Sequence, residues 1–212
     1  LGMDPIGVSF HVGSQQVYLA QWENAIARAA RVFEALERSG IRLTLMNLGG
    51  GFPARYQRDV PALMEYGRII RAAVEKEFGD DWPRLIIEPG RGLVGDAGVI
   101  QSEVVLISTK GSADSRRWVF LDIGKFSGLA ETMDEAIKYR LRTAHDGTAT
   151  GPVVIAGPTC DSADVLYDKA DYHLPLALNI GDKVHILSTG AYTSSYSAVN
   201  FNGFPPLRTI CL

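Results

Sequence analysis

The stretch LTLMNLGGG, residues 43–51, joins an apolar run to a triple glycine and sets the pattern of the first half of the chain. A comparable run, GVSFHVGS, covers residues 7–14, and a third, LIIEPGRG, covers residues 85–92. Gly49 follows His11 by 38 residues, and Glu88 follows Gly49 by 39. This period favours strand–helix–strand units, and in a (β/α)8 barrel the catalytic groups lie at the carboxyl ends of the strands.

Amphipathic patterns separate the three runs. Residues 21–39 carry apolar side chains at helical spacing and are followed by Gly40, and residues 60–78 repeat the pattern before Gly79. The predicted order is therefore β-α-β-α-β. Because three strands cannot close an eight-stranded barrel, we expect the chain to be the back part of a larger enzyme.

The pattern changes after Asp96, so we place a domain boundary near residue 95. Short β-rich runs alternate with Gly, Asp, Ser and Pro turns, and one helical pattern over residues 131–139 interrupts them. This part is predicted to be an antiparallel β-domain. The β-rich runs cover residues 99–108, 117–122, 153–156 and 184–187.

Composition and charge exclude several classes of protein. The 212 residues are 46% hydrophobic and 21% charged, which is ordinary for a soluble globular protein. The net charge of −3 offers no basic stripe, so we expect no nucleic-acid or membrane partner. No apolar stretch reaches the ~20 residues that span a bilayer. The two cysteines, Cys160 and Cys211, have neither disulfide-framework nor metal-ligand spacing, which favours a reducing cytoplasm and no metal site.

The triple glycine at residues 49–51 is a candidate anion site. Without a Cβ in the way, backbone N–H groups can approach a phosphate closely, and in barrels phosphate commonly binds at loops after late strands. The alternative is an ordinary tight turn.

The next strand end, Glu88-Pro89-Gly90-Arg91, carries an anion and a cation three residues apart. A carboxylate there needs a cationic or proton-donating partner. A protonated pyridine nitrogen would serve for Glu88, with Arg91 left to bind phosphate through two hydrogen bonds. The alternative is a local Glu–Arg ion pair.

The first strand end offers His11 and Ser14. His11 could stack on a planar cofactor ring, or be a hydrogen-bonded core residue. Ser14 could donate its hydroxyl to a phosphate, or cap the following helix.

In the β-rich part, the loop GPTCDSAD at residues 157–164 places Cys160 beside Asp161. A thiol next to a carboxylate suits proton transfer together with recognition of a cationic amine; the alternative is an inert cysteine beside a turn-forming Asp. Asp134 is most simply interpreted as an exposed helix acid, and Tyr192 could bind phosphate or pack.

Together these segments resemble the pyridoxal-phosphate-dependent basic amino acid decarboxylases of the alanine-racemase-like fold, and most closely the bacterial ornithine/lysine decarboxylases. Six matches occur in the family's order over essentially the whole chain. They are HVGSQ at 11–15, NLGGGFP at 47–53, IIEPGRG at 86–92, GPTCDSAD at 157–164, GAYT at 190–193 and FNGFPP at 201–206. Asn47 stands where some relatives have Asp.

The resemblance implies a fold, a cofactor and a partner. The chain would comprise the last three βα units of a (β/α)8 barrel, residues 1–95, followed by an antiparallel β-barrel-like C-terminal domain, residues 96–212. The cofactor would be pyridoxal 5′-phosphate. The enzyme would be a homodimer with active sites at the interface, where Cys160 and Asp161 would serve the partner's cofactor.

The resemblance also implies a role for each matching residue. His11 would stack on the cofactor ring and Glu88 would pair with its nitrogen. Cys160 would protonate the substrate carbon, so His11, Glu88 and Cys160 form the predicted catalytic set. The phosphate would be held by Ser14, the triple glycine Gly49, Gly50 and Gly51, Arg91 and Tyr192. The distal ammonium of the substrate would be bound by Asp134 and Asp161, with Phe201 lining its pocket.

One element of the family pattern is missing, the lysine that bonds covalently to the cofactor. In the family it lies on an early barrel strand, which would precede residue 1, and none of the six lysines here ends a predicted barrel strand. These are Lys76, Lys110, Lys125, Lys138, Lys169 and Lys183. The fragment alone is therefore expected to be inactive.

The predicted activity is decarboxylation of ornithine or lysine to a diamine such as putrescine, in polyamine biosynthesis. Three alternatives remain: a diaminopimelate decarboxylase, an arginine decarboxylase, and a non-catalytic regulatory homologue. Asp161 beside the cysteine favours a cationic distal group, since an acidic substrate end would call for Arg or Lys nearby.

Overall fold

The first part of the chain folds as alternating strands and helices. The computed structural model describes residues 2–111 and 114–212, and it separates into two units, one up to Val94 and the other from Gly95 onward. The elements of the first unit are β1 (Gly7–Ser9), α1 (Ala20–Glu37), β2 (Leu45–Asn47), α2 (Leu63–Phe78), β3 (Arg84–Ile86) and the one-turn helix α3 (Arg91–Val94).

The three strands form a parallel sheet in the order β1-β2-β3. Val8 is in register with Met46, and Met46 with Leu85. The pairing continues past the strands, since the N–H of Leu48 donates to the carbonyl of Ile86 over 2.8 Å. The carboxyl ends of all three strands therefore lie at one edge of the sheet.

The core of this unit forms where α1 and α2 cover the sheet. Trp22 and Ile26 of α1 and Tyr66 of α2 are almost completely buried, together with Met46 of β2. The Trp22 ring lies 4.6 Å, centroid to centroid, from Phe52, which follows the triple glycine. Each such side chain contributes about 1.5–3 kcal/mol by leaving water. The core therefore also fixes the loop that follows β2.

Both helices occur where the periodicity predicts them, with shifted ends. The pattern predicts residues 21–39 and 60–78, whereas α1 covers 20–37 and α2 covers 63–78. The later start of α2 follows from Pro61 and from Ala62, which is extended (φ −64°, ψ 145°) at the N-cap. Among the described residues, no helix combines the length and the hydropathy that a bilayer span requires.

The second unit is built on one six-stranded sheet in the order β6-β9-β4-β5-β7-β8. Its strands are β4 (Val99–Thr109), β5 (Arg117–Leu121), β6 (Leu141–Thr143), β7 (Thr150–Ala156), β8 (Val165–Pro175) and β9 (Lys183–Leu187).

The prediction of an antiparallel, barrel-like domain is wrong for this sheet, which is mixed. β5 and β7 run parallel, with Val119 in register with Ile155, while the other neighbours are antiparallel. A parallel pair needs a crossover of a dozen or more residues, and residues 122–149 supply it. Within the described ranges β6 and β8 are the two ends of the order, so the sheet is open.

The helix predicted over residues 131–139 is also wrong. The segment forms a short 3-10 turn, Ala130–Glu135, in which Met133 is extended and Asp134 has a left-handed φ of 52°. The Glu135 carboxylate accepts hydrogen bonds from the N–H groups of Asp168 and Lys169 in β8, at 2.8 and 2.7 Å. These two long-range hydrogen bonds outweigh the local preference for a helix.

The long strand β4 belongs to both halves of the sheet. Its first five residues, Val99–Glu103, pair with β9, and the rest pair with β5 from Val104 to Thr109. The register shifts between Val104 and Leu106, which marks a β-bulge. The bulge lets one strand change partners without leaving the sheet.

Candidate functional site

Three loops meet at the carboxyl edge of the parallel sheet in the first unit. His11 lies two residues after β1, Asn47 ends β2, and Glu88 lies two residues after β3. The N–H of Glu88 donates to the carbonyl of Gly49 over 2.8 Å. A Cβ built on Gly50 would lie 2.9 Å from the Glu88 carbonyl oxygen and 3.2 Å from Nε2 of His11. The predicted residues His11, Gly49, Gly50 and Glu88 are therefore brought together.

The triple glycine forms a cradle that side chains would fill. Gly49 has φ of 63°, and its Cβ would collide with the carbonyl oxygen of Phe10. Gly51, with φ of 108°, would place a Cβ 2.6 Å from the carbonyl oxygen of Gly13. Within the described part of the chain, the amides of Gly50 and Gly51 donate to no hydrogen-bond acceptor. The loop can therefore present backbone N–H groups to an anion.

Asn47 links the triple glycine to Glu88 through its side-chain amide. Its Nδ2 donates to Oε1 of Glu88 over 2.8 Å, and its Oδ1 accepts from the N–H of Gly49 over 3.0 Å. The reverse orientation of the amide would set oxygen against oxygen and N–H against N–H. The two neighbours therefore fix which way the amide points, and one oxygen of the exposed Glu88 carboxylate is held in place.

Arg91 is buried, although it is the first residue of the one-turn helix α3. Its Nη1 donates to the hydroxyl of Tyr56 over 2.7 Å, and its Cζ lies 5.8 Å from the centroid of the Tyr56 ring. A Cβ built on Gly92 would lie 2.7 Å from Cβ of Phe52. The corner after β3 is therefore packed closely on the segment that follows the triple glycine.

Ser14 lies on an exposed turn whose neighbours bind the glycine loop. The N–H of Gln16 donates to the carbonyl of Gly51 over 2.9 Å. Gln15 donates to the carbonyl of Ala54 over 2.6 Å and accepts from the N–H of Ala54 over 3.1 Å. This pair of bonds holds the HVGSQ loop beside the triple glycine.

Sequence reasoning missed three residues that build this site. Gln15 falls inside the matching HVGSQ segment, and Asn47 stands at a strand end, so both carried a signal. Tyr56 carried none, because an aromatic residue in an irregular segment has no periodicity to mark it.

In the second unit, the predicted thiol lies on a loop organised by a buried carboxylate. Cys160 is exposed and has a left-handed φ of 59°. Asp164 is 1% exposed and accepts from the hydroxyl and the N–H of Thr159, at 2.7 and 3.2 Å, and from the N–H of Lys125 at 2.7 Å. The Asp164 carboxylate occupies the space where Gly157 would carry a side chain. It therefore fixes the residue before the thiol.

Asp161 and Phe201 are brought to the same region as Cys160. One carboxylate oxygen of Asp161 accepts from the N–H of Ala163 over 2.8 Å, which closes the turn. Asn202, next to Phe201, donates to the carbonyl of Thr159 over 2.9 Å. The Phe201 ring stacks on Phe126 at 4.2 Å between centroids.

A cavity of about 400 Å3 opens beside the thiol-bearing loop. Trp118 and Phe120 of β5 form its aromatic wall, stacked 6.1 Å apart. Lys110 places its ammonium 3.3 Å from the centroid of the Trp118 ring, which is a cation–π contact. Cys160 and Asp161 also line this cavity.

The other two predicted residues of the second unit, Asp134 and Tyr192, lie outside the loop that carries Cys160. Asp134 is exposed in the 3-10 turn, and Tyr192 is exposed with its ring 6.0 Å from that of Tyr196. Among the residues that the structure describes, no group of three or more His, Cys, Asp or Glu side chains could hold a metal ion.

Comparison with known proteins bears on residues 1–95, which match the family described as pyridoxal-dependent decarboxylase, pyridoxal binding domain. The chain is related to the pyridoxal-dependent decarboxylases. It is 35% identical to the lysine/ornithine decarboxylase of Selenomonas ruminantium over 99% of this chain and 51% of that protein. It is 36% identical to the diaminopimelate decarboxylase of Staphylococcus aureus (strain COL) over 92% of this chain and 46% of that protein.

A solved structure supports the same relationship. The crystal structure of SrLDC in complex with PLP and cadaverine gives a TM-score of 0.85 at 35% identity, over 99% of this chain and 52% of that one. The chain spans about half the length of the curated relatives it matches. The predicted cofactor, pyridoxal 5′-phosphate, is confirmed as that of the related decarboxylases.

The predicted position within the fold is wrong. Residues 1–95 match the pyridoxal-binding domain, which is the barrel portion of these decarboxylases, and are not assigned to its last three βα units. The sequence does not reveal the position of a unit, because every βα unit of a barrel repeats the same pattern of strand and helix.

The residues at the sheet edge fit pyridoxal phosphate. The cradle at Gly50 admits a close approach to the backbone, and two amides there donate to no described residue. The Glu88 carboxylate, held on one side by Asn47, is an acceptor for a protonated ring nitrogen. Phosphate, ring nitrogen and ring face therefore each have a chemically suitable neighbour.

Proposed function

We propose that the protein containing these residues is a pyridoxal-phosphate-dependent decarboxylase of lysine or ornithine, of the bacterial type. The observation that carries this proposal is the meeting of His11, the triple glycine and Glu88 at one strand edge, in a chain related to decarboxylases. The product would be cadaverine or putrescine, and the enzyme would then act in polyamine biosynthesis.

The residues of the sheet edge would hold the cofactor. The amides of Gly50 and Gly51, the Ser14 hydroxyl, the Arg91 guanidinium and the Tyr192 phenol would bind its phosphate, with Gly49 shaping the turn. When bound, pyridoxal phosphate withdraws electrons from the substrate carbon that loses CO2.

Two further residues would act on the ring. Glu88 would keep the ring nitrogen protonated, which makes electron withdrawal stronger, and His11 would stack on the ring face. The covalent anchor would be a lysine outside these 212 residues, because none of the six lysines present follows β1, β2 or β3 at the sheet edge.

The residues of the second unit would act on the substrate. Cys160 would donate a proton to the carbon from which CO2 has left. Asp134 and Asp161 would bind the distal ammonium, and Phe201 would line the pocket for the methylene chain. In a homodimer with shared active sites, Cys160 and Asp161 would serve the cofactor of the partner subunit.

The second candidate substrate is diaminopimelate, which the 36% identical relative decarboxylates according to its name. A distal carboxylate would require a cation near the substrate end. The loop beside Cys160 carries the exposed Asp161 instead, and the Lys110 ammonium lies against the ring of Trp118. These contacts favour a substrate with a cationic end. The exposure of both cysteines is compatible with the cytoplasmic location that we propose.

The test uses the full-length protein with added pyridoxal phosphate. CO2 release is measured from lysine, ornithine, arginine and diaminopimelate at equal concentrations. We expect release from lysine or ornithine at a kcat/KM at least about tenfold above that for the other two. Release from diaminopimelate alone would replace the proposed substrate, and release from none of the four would support a regulatory homologue. Sedimentation of the active enzyme as a strict monomer would reject the shared site.

A further inference from the structure

The loop that follows β9, residues 188–193, exposes one side chain and buries the others. Ser188, Thr189 and Thr193 are at most 7% exposed, whereas Tyr192 is 43% exposed and has a left-handed φ of 54°. The hydroxyl of Thr193 donates to the carbonyl of Thr189 over 2.8 Å, which closes the loop on either side of the tyrosine. The loop therefore offers the phenol of Tyr192 to a ligand while its other side chains hold it in place.

Ser188 is the residue at which the chain leaves β9 and turns. It has a φ of 61°, a conformation that costs free energy for any residue with a Cβ. The N–H of Thr189 donates to the carbonyl of Gly98, and the N–H of Gly190 donates to the carbonyl of Gly95, both over 2.9 Å. A Cβ on Gly98 would collide with the backbone of Gly190. The direction that the loop takes after Ser188 is therefore closely defined.

The hydroxyl of Ser188 lies between a cation and an anion. It accepts from Nη2 of Arg140 over 3.0 Å and donates to Oδ1 of Asp96 over 2.6 Å. Hydrogen bonds to charged groups are stronger than those between neutral groups. Asp96 belongs to residues 95–98, the segment whose carbonyls also accept from the backbone of the loop. Side chain and backbone of the turn are thus bound to the same short segment.

We propose that Ser188, held by Arg140 and Asp96, is a positioning residue that fixes Tyr192 for contact with the phosphate of the cofactor; this rests on the proposed function, in which Tyr192 binds that phosphate. The two hydrogen bonds of the hydroxyl offset the cost of the left-handed turn, and the turn sets the direction of the loop. Without the hydroxyl the loop can take other directions, so binding of a phosphate must also order the loop.

The test compares two ligands of the full-length protein, pyridoxal phosphate and pyridoxal, which has no phosphate. The dissociation constant of pyridoxal divided by that of pyridoxal phosphate measures the contribution of the phosphate, because effects on the ring end of the cofactor cancel. Tyr192→Phe is the reference variant, since it removes the hydroxyl that would bind the phosphate. We expect it to lower this ratio by about tenfold, the contribution of one hydrogen bond to a charged group.

Ser188→Ala is the decisive variant, and we expect it to lower the ratio by at least about threefold. Combined with Tyr192→Phe it should lower the ratio no further than Tyr192→Phe alone, because both substitutions act through one phenol. Ser102→Ala is the matched control: it removes a 2.6 Å bond from a buried serine to Asp122 and should leave the ratio unchanged. A wild-type ratio in folded Ser188→Ala, or a double variant in which the two effects multiply, would overturn the proposal.

Ser188→Gly decides the matter if Ser188→Ala does not fold. Glycine adopts a φ of 61° without a steric cost, so this variant removes the hydroxyl and keeps the turn accessible. Its ratio should also fall, because the loop is less restricted, and a retained wild-type ratio would overturn the proposal. If wild type releases CO2 while the ratio moves in neither Ser188 variant, the positioning role fails and the proposed function stands. If wild type binds no pyridoxal phosphate, both fail.

Discussion

The hydroxyl of Tyr56 lies 2.7 Å from Nη1 of Arg91, and both side chains are buried. A buried guanidinium has five N–H groups to satisfy, and each fixed partner restricts where the remaining ones point. Tyr56 therefore limits the orientations in which Arg91 can meet a phosphate.

Removal of this hydroxyl should weaken binding of the cofactor through its phosphate alone. We expect Tyr56→Phe to raise the dissociation constant of pyridoxal phosphate by about tenfold, since a hydrogen bond to a charged group is lost. The affinity for pyridoxal, which has no phosphate, should not change. Tyr172→Phe, which loses a 2.6 Å bond from its hydroxyl to the carbonyl of Tyr139, is the matched control. If Tyr56→Phe weakened the binding of pyridoxal and of pyridoxal phosphate equally, the hydroxyl would not act through the phosphate.

Cys160 and Cys211 are both exposed thiols, and only Cys160 lies on the loop organised by Asp164. We expect Cys160→Ala in the full-length enzyme to slow decarboxylation or to divert it toward transamination-type products. Alanine meets the same backbone cost at φ of 59° as cysteine does, so the loop should keep its shape. Product ratios are measured by chromatography, with Cys211→Ala as the control. A wild-type ratio in Cys160→Ala would remove the protonation role.

Substitution by alanine should have opposite effects on stability at Gly50 and at Gly67. A Cβ on Gly50 would lie 2.9 Å from a backbone oxygen of Glu88, so Gly50→Ala should destabilise by about 1–3 kcal/mol. Gly67 lies inside α2, and beyond its chain neighbours and the helix's own backbone nothing lies within 4 Å of its Cβ position, so Gly67→Ala should stabilise by about 0.5–1 kcal/mol. Calorimetry of both variants checks the signs. A Gly50→Ala protein as stable as wild type would mean that the cradle can widen.

Glu135 should make the stability of the protein depend on acid pH. Burial alone would raise the pKa of its carboxyl, but hydrogen bonds from the N–H groups of Lys169 and Asp168 lower it below the ordinary value. A depressed folded pKa stabilises above the pKa of the unfolded chain, about 4.3. The contribution is then lost as pH falls from that value through the folded pKa. We expect Glu135→Gln to lower Tm at pH 7 and the difference to vanish at low pH. A difference in Tm that is the same at every pH would show that Glu135→Gln removes packing and not an interaction of the charge.

The parallel part of the fold could be predicted because its signals are local. Apolar runs ending at His11, Gly49 and Glu88 mark β1, β2 and β3, and the 3.6-residue periodicity marks α1 and α2. In a parallel sheet the carboxyl ends share one edge, so a linear spacing predicted which loops would meet. The sequence pattern does not show which βα units of the barrel these are, because every unit repeats the same pattern of strand and helix.

The mixed sheet could not be predicted because its decisive contacts are long-range. β8 was missed since Asp168, Lys169 and Asp171 interrupt its apolar residues, yet it pairs with β7 through register shifts. The parallel direction of β5 and β7 leaves no mark on either strand. The helical pattern at 131–139 is overridden by Glu135, whose carboxylate binds β8 instead of continuing a helix.

The residues that meet at the sheet edge were predicted where residue type alone suffices. Glycines, a histidine and a glutamate at strand ends point to their chemistry without any contact being known. Asn47 and Tyr56 form hydrogen bonds with the side chains of Glu88 and Arg91, and such contacts depend on distances that no spacing in the sequence encodes.

The bulge at Val104–Leu106 gives the second unit a particular mode of unfolding. Because β4 supplies ladder partners to β9 on one side of the bulge and to β5 on the other, loss of β4 would leave backbone groups of both neighbours without hydrogen-bond partners. The cooperativity of unfolding in this unit therefore depends on the one strand β4. The unit that carries the thiol loop is expected to melt all at once, and not in two separate events.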